Sequence, residues 1–127
     1  MPEYEFWFRM TYRRLIGDGK ITAAVRPGDR RFPHPKGTKE GSTATIRILA
    51  KPGSEETGIM PVFDGLRRRV RVDKILVKEI SKLTQRELAG CAPDSRDAGS
   101  VIYHLGLIYD REFTPSDTVT VYYFTYL

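Results

Sequence analysis

Apolar and polar positions alternate strictly over residues 4–10, with Tyr4, Phe6, Phe8 and Met10 on one face and Glu5, Trp7 and Arg9 on the other. This predicts a strand with an aromatic core face. Trp7 then stands on the polar side, a place for cross-strand packing or for stacking on a base. Thr11 is placed to cap a short helix over 12–16, whose Leu15 and Ile16 turn inward while Arg13 and Arg14 stay wet. A helix this short persists only when packed on the sheet. Residues 17–31 read as turn, strand, turn. Gly17 and Gly19 permit positive φ, Pro27 bars Arg26 from the α region, and Gly28 takes the left-handed position. An extended chain over 20–26 puts Lys20, Thr22 and Arg26 on one face with the small Ala24 between them, and Ile21, Ala23 and Val25 on the other.

Residues 30–42 are rich in proline, glycine and cations, among them Arg30, Arg31, Lys36 and Lys39, and form a long loop of the kind that is usually functional or mobile. Residues 43–51 return to strand, with Ala44, Ile46, Ile48 and Ala50 on the apolar face. Pro52, Gly53 and Ser54 turn the chain, and Pro61 pushes a short strand over 59–63 to an edge or a bulge. The longest extended run is predicted over 66–80, where Arg67, Arg69 and Arg71 share one face, and Leu66, Val70 and Val72, with Arg68 among them, share the other. Thr84 and Glu87 stand in capping-box register and open a short helix ending near Gly90. A second helix starts at Asp94 or Ser95, and its stripe of Ala98, Val101, Ile102, Leu105, Ile108 and Tyr109 reads as core. His104 lies off that stripe and reads as a surface histidine rather than a general base. The last strand, 118–127, is apolar on both faces and is expected at the centre of the sheet.

Composition narrows the functional classes. At 127 residues, with 40% hydrophobic and 29% charged positions, residues 1–127 are expected to form one globular domain. The net charge of +5 tilts the expectation toward a polyanionic partner. Cys91, the single cysteine, excludes an internal disulfide framework and fits a reducing compartment. Acidic residues stand where a signal peptide needs basic ones, and no apolar run approaches the ~18 residues of a membrane span, so a cytoplasmic protein without membrane contact is expected.

Chemistry-bearing motifs are weak. Around Gly19 and Lys20, Arg14 stands where a P-loop needs glycine and Ile21 where it needs a hydroxyl. Cys91, His34 and His104 lack metal-ligand spacing, and neither a metal nor a cofactor is expected. There is no nucleophile elbow. The acid pairs Glu55 with Glu56 and Asp94 with Asp97 are accounted for by solvation and helix capping. The arginine strand is more suggestive. Side chains at alternate strand positions are about 6.6 to 7 Å apart, close to the phosphate repeat of a nucleic acid, and guanidinium grips phosphate with two donors. A solvated strand whose arginines cover apolar neighbours with their stems is the competing reading.

The order of elements carries a further resemblance. A strand, a short helix, Gly-Lys-x-Thr-x-x-Val-Arg over 19–26, a loop, strands, Leu-Thr-x-x-Glu-Leu leading to a helix, and a closing aromatic strand together resemble the ASCH domain of the PUA-like superfamily over nearly the whole chain. Of the family signature Gly-x-Lys-x-x-Glu-x-Arg, Gly19 and Arg26 match the ends; Ile21 and Ala24 stand at the lysine and glutamate positions, and Lys20 is one position early. The resemblance implies a mixed α/β (α+β) fold, a small PUA-like β-barrel flanked by short helices, with a cleft that takes RNA or a nucleotide. One branch resembles an amidohydrolase that deacetylates N4-acetylcytidine with a lysine, a threonine nucleophile and a glutamate, which fall by position on Ile21, on Ala24 and near Cys91. The expected activity is therefore RNA binding through Lys20, Thr22, Arg26, Arg30, Arg31, Arg67, Arg69 and Arg71. The alternatives are a hydrolase acting on a modified nucleoside with Thr22 as nucleophile and Lys20 as base, and a protein-interaction module using exposed strand edges.

Overall fold

Five runs of alternating side chains become five strands of one curled sheet. The computed structural model describes residues 4–31, 37–54 and 56–127. Its strands are β1 (Tyr4–Arg9), β2 (Ala23–Pro27), β3 (Thr43–Lys51), β4 (Val62–Glu79) and β5 (Thr118–Tyr126). Their order is β1-β3-β4-β5-β2, with β1 parallel to β3 and the other pairs antiparallel. Three short α-helices, α1 (Arg13–Gly17), α2 (Gln85–Leu88) and α3 (Ala98–Tyr109), accompany them, with 3-10 turns at Met10–Tyr12, Ile80–Lys82 and Pro93–Ser95. The result is a five-stranded half-barrel with a few short helices, the expected α+β architecture. Phe32 to Lys36 of the basic loop, including His34, and Glu55 lie outside the described residues.

The sheet buries apolar side chains on both faces, in two separate clusters. Inside the curl, Phe6, Phe8, Ile46, Ile48, Val70, Val72, Tyr122 and Phe124 pack together with Ile16 of α1. On the other face, Val119 and Val121 of β5 and Ala23 and Val25 of β2 meet Val101 and Leu105 of α3 and Leu88 of α2. Each fully buried Val, Leu, Ile or Phe contributes about 1.5–3 kcal/mol, so both clusters hold the fold. β5 contributes to both and sits between β4 and β2, as its two apolar faces predict. Arg68, placed by the alternation on the inward face with Leu66, Val70 and Val72, is satisfied there: it donates to the carbonyls of Ile16 and Gly17 at the end of α1, and its guanidinium carbon lies 4.6 Å from the centre of the Tyr126 ring.

Several local expectations shift. The strand expected over 20–26 starts only at Ala23. Lys20 is held in the turn after α1 by its N–H to the Leu15 carbonyl, and Ala23, Ala24 and Val25 are all buried. The predicted cationic and hydroxyl-bearing face therefore does not form, because α3 covers one side of β2 and the curl encloses the other. The short strand over 59–63 and the run over 66–80 join into the 18-residue β4, whose register shifts between Val72 and Lys74. Thr11 caps nothing; it lies within the Met10–Tyr12 turn, and Tyr12 takes the cap position of α1 without a side-chain bond. Asp97 caps α3 by accepting from the Ser100 N–H, while Asp94 and Ser95 belong to the preceding 3-10 turn. Of the predicted stripe on α3, Val101 and Leu105 are buried but Ile108 and Tyr109 are exposed.

Candidate functional site

The two edges of the curled sheet, β1 and β2, face each other across a seam, and Arg26 spans it. Its Nη2 donates to the Trp7 carbonyl at 3.0 Å and its Nη1 to the Val25 carbonyl at 2.9 Å, while the guanidinium carbon lies 5.1 Å from the centre of the Phe8 ring. Arg26 stands one residue before the end of β2 at Pro27, after which Gly28, with φ 79°, turns the chain. Where a full barrel would have a backbone ladder, the seam leaves a cleft of about 510 Å³, a size common among small-molecule sites.

The walls are aromatic and the rim is cationic. Tyr4, Trp7, Phe8 and Tyr12 line the sheet side, the small Ala23 and Ala24 lie at the base, and Ser95 and His104 come from the helical side. Arg9, Arg26 and Arg30 converge on the same space. None of the three has an acidic partner among the described residues. Arg30 is positioned by the fully buried Thr120, whose Oγ1 accepts from the Arg30 N–H at 2.8 Å and donates to the Gly28 carbonyl at 2.7 Å. Its own Nε donates to the Pro27 carbonyl at 3.1 Å, which leaves the tip of the guanidinium for the cleft. Glu5, the acid on the lining, is already engaged by Arg47 at 3.7 Å and by the Trp7 indole N–H at 3.0 Å.

A polar cluster closes the helical side. The Tyr12 hydroxyl donates to Oδ2 of Asp94, Ser95 Oγ lies 3.5 Å from Oδ1, and His104 Nε2 lies 3.6 Å from Oδ2. The Nδ1 of His104 is buried and has no hydrogen-bond partner among the described residues. Burial, reinforced by the bond to Asp94, pushes the Tyr12 phenol well above its ordinary value, so it stays a neutral donor. Burial likewise pushes the Cys91 thiol up to about 12 at the base of the cleft. Among the described residues no cluster of His, Cys, Asp and Glu could hold a metal ion, and no helix is long and apolar enough to cross a membrane.

Solved structures share this fold. Protein EF3133 from Enterococcus faecalis, described under the family label DUF984, superposes with a TM-score of 0.60 at 13% identity, covering 100% of this chain and 82% of that one. An ASCH domain from Lactobacillus crispatus gives a TM-score of 0.57 at 9% identity, covering 91% of this chain and 70% of that one. The chain has an ASCH-like fold. No family model and no curated protein matches its sequence. Within this ASCH-like frame, Ala24, at the signature's glutamate position, lines the cleft, whereas Ile21, at its lysine position, is packed in the core inside the curl.

Of the residues expected at the site, the ASCH-like fold brings Arg26 and Arg30 to the cleft. Arg31 lies beyond it, paired with Asp29 at 2.6 Å. Lys20 and Thr22 are exposed and do not line the cleft. Arg67, Arg69 and Arg71 are exposed on one face of β4, as predicted, opposite Arg47, Thr45 and Thr43 of β3. Arg9 and the Tyr12, Asp94 and His104 cluster were not anticipated. Tyr12 and Asp94 are 82 residues apart, so no local periodicity joins them.

Proposed function

We propose that the protein binds RNA and that one nucleotide of it enters the seam cleft. The observation that carries this reading is the convergence of Arg9, Arg26 and Arg30, without acidic partners among the described residues, on a space walled by Tyr4, Trp7, Phe8 and Tyr12. Guanidinium forks grip phosphate, like carboxylate, with two parallel donors, and aromatic walls accept the flat face of a base, so the two features together suit a nucleotide. Ser95 and His104 also line the cleft and supply hydrogen-bonding groups for a base, and the lack of side-chain bulk at Ala23 and Ala24 gives the base room. Phosphate contacts supply most of the affinity, and the exposed Arg67, Arg69 and Arg71 extend the cationic surface beyond the cleft. A nucleoside hydrolase using Thr22 and Lys20 would need both in the cleft, and neither lines it.

The test is anisotropy of a labelled single-stranded RNA titrated at several salt concentrations. Arg9→Gln and Arg30→Gln each weaken binding and lower the salt slope by about 1, while Lys20→Gln leaves both unchanged. Unchanged slopes for Arg9→Gln and Arg30→Gln would remove the cleft from the binding surface.

A further inference from the structure

Trp7 belongs to two surfaces at once. It lines the cleft, and it also stands in line with the arginines of the neighbouring strands: Trp7 is opposite Arg47 and Arg47 is opposite Arg67. The next positions along the sheet put Thr45 opposite Arg69 and Thr43 opposite Arg71. With strands about 4.8 Å apart, the row from Trp7 to Arg67 is roughly 10 Å long. The arginine face of β4 therefore runs up to the mouth of the cleft.

The indole is clamped but not covered. Its N–H donates to Glu5 Oε1 at 3.0 Å, and its ring meets Phe63 edge-on at 5.0 Å between centroids. Phe63 is backed in turn by the Arg47 guanidinium carbon, 4.0 Å from its centroid. Even so, 47% of Trp7 is exposed. A tryptophan needed only for the core would be buried, and one needed only for solubility would not be held from two sides. A fixed ring with an open face is a stacking platform.

We infer that the occupant is single-stranded RNA, which runs from the arginine row across the Trp7 ring into the cleft with one base stacked on the indole. This rests on the RNA reading above and adds the strandedness and the path. Among the described residues this face carries Arg47, Arg67, Arg69 and Arg71 against Glu5 and Asp73; the exposed Arg71–Asp73 pair resists re-pairing with phosphate little, while Arg47, held between Glu5 and Phe63, backs the platform. A duplex keeps its base faces stacked, so it offers the indole nothing and places no nucleotide in the cleft.

Trp7 is the single tryptophan in the sequence, so its emission reports on this position alone. The experiment titrates the protein with an oligouridine of about eight nucleotides, with the same strand in a duplex, and with uridine monophosphate, following fluorescence and calorimetry together. The single strand quenches Trp7 emission and binds more tightly than the monophosphate, and the duplex does neither. Trp7→Ala lowers strand affinity by roughly 5- to 150-fold, the worth of one stacked base, and Trp7→Phe restores most of it; circular dichroism confirms that both variants are folded. If the monophosphate binds but the strand gains nothing and leaves the emission unchanged, the path is wrong and the cleft reading stands. Equal affinity for the duplex also overturns the inference. If neither monophosphate nor strand binds, the cleft reading falls with it.

Discussion

Two side chains under the cleft show what burial does to ordinary chemistry. Cys91 is 1% exposed, and burial holds its thiol near 12 although Arg26 and Arg96 pull the other way. A thiol in that state has almost no thiolate at pH 8. The folded protein should therefore leave an aromatic disulfide reagent unreacted over minutes, and react once in denaturant; prompt native labelling would mean that the base of the cleft opens. Tyr12 offers a second check. Its hydroxyl is held by Asp94, which also faces His104. Tyr12→Phe removes the donor and leaves the carboxylate with weaker partners, at a cost of about 1.5–3 kcal/mol for a bond to a charged group. Urea unfolding measures this, and a loss near zero would show that Asp94 finds solvent instead. Neither residue announced itself in the sequence. Tyr12 read as the first residue of a small helix because its partner Asp94 lies 82 residues away, and Cys91 as a lone thiol because its burial comes from a cluster that includes Ala23 and Val25 of β2.

At the level of elements, what was legible depended on how local the stabilising bonds are. The capping box of α2 closes within four residues: Thr84 Oγ1 accepts from the Glu87 N–H, and the Glu87 carboxylate accepts from the Thr84 N–H. That pattern reads directly from sequence. The start of α3 did not, since Asp94 and Asp97 both stand where a cap is needed, and Asp94 is drawn away by Tyr12, 82 residues distant, and by His104 in the second turn of α3 itself. The β2 strand misread for a similar reason: its alternation suggested one wet face, and it is the curl, enclosing the Ala24 side while α3 covers Ala23 and Val25, that makes both faces dry. The Glu87 carboxylate is held below its ordinary value of 4.5, first by Lys78 at 2.7 Å and then by the Thr84 N–H. A lowered carboxyl contributes stability that is present above its unfolded value and lost as pH falls through the folded one. Stability should thus decline below pH 4.5, and Glu87→Gln should flatten that part of the acid limb in pH-dependent melting. An identical limb in the variant would remove Glu87 from the acid response. Gly53 offers a steric test in the hairpin between β3 and β4. A Cβ there would stand 2.7 Å from the Ile59 carbonyl and from the Pro61 nitrogen, both backbone atoms, so Gly53→Ala should cost about 1–3 kcal/mol in urea unfolding. A variant as stable as the parent would show that the turn opens freely.

Across the whole molecule, strand faces were readable and strand partners were not. Alternation placed Arg67, Arg69 and Arg71 on one exposed face of β4 and Tyr4, Phe6 and Phe8 of β1 toward the core. It carries no information about which strand lies beside which, so the parallel pairing of β1 with β3, and hence the seam between β1 and β2, emerges only when the sheet curls. That curl gives Arg26 two duties. It is one of three cations facing the cleft, and it is a tie between opposite edges of the sheet, because its donors reach carbonyls of both β1 and β2. The duties separate by substitution. Arg26→Met keeps an apolar stem but loses the guanidinium beside Phe8, the charge and both bonds, whereas Arg26→Lys keeps the charge without the planar fork. If the tie matters to the closed shape, both variants should unfold at lower urea than the parent, Met by about 1.5–3 kcal/mol and Lys by less. Amides along β1 should then exchange faster with solvent while those of β5, buried between two neighbours, hold their protection. Nucleotide affinity should follow a different order, with Lys retaining more binding than its stability loss suggests, since a point charge still attracts phosphate. Should Arg26→Met melt with the parent and lose only binding, the curl closes without the guanidinium and Arg26 serves the ligand alone.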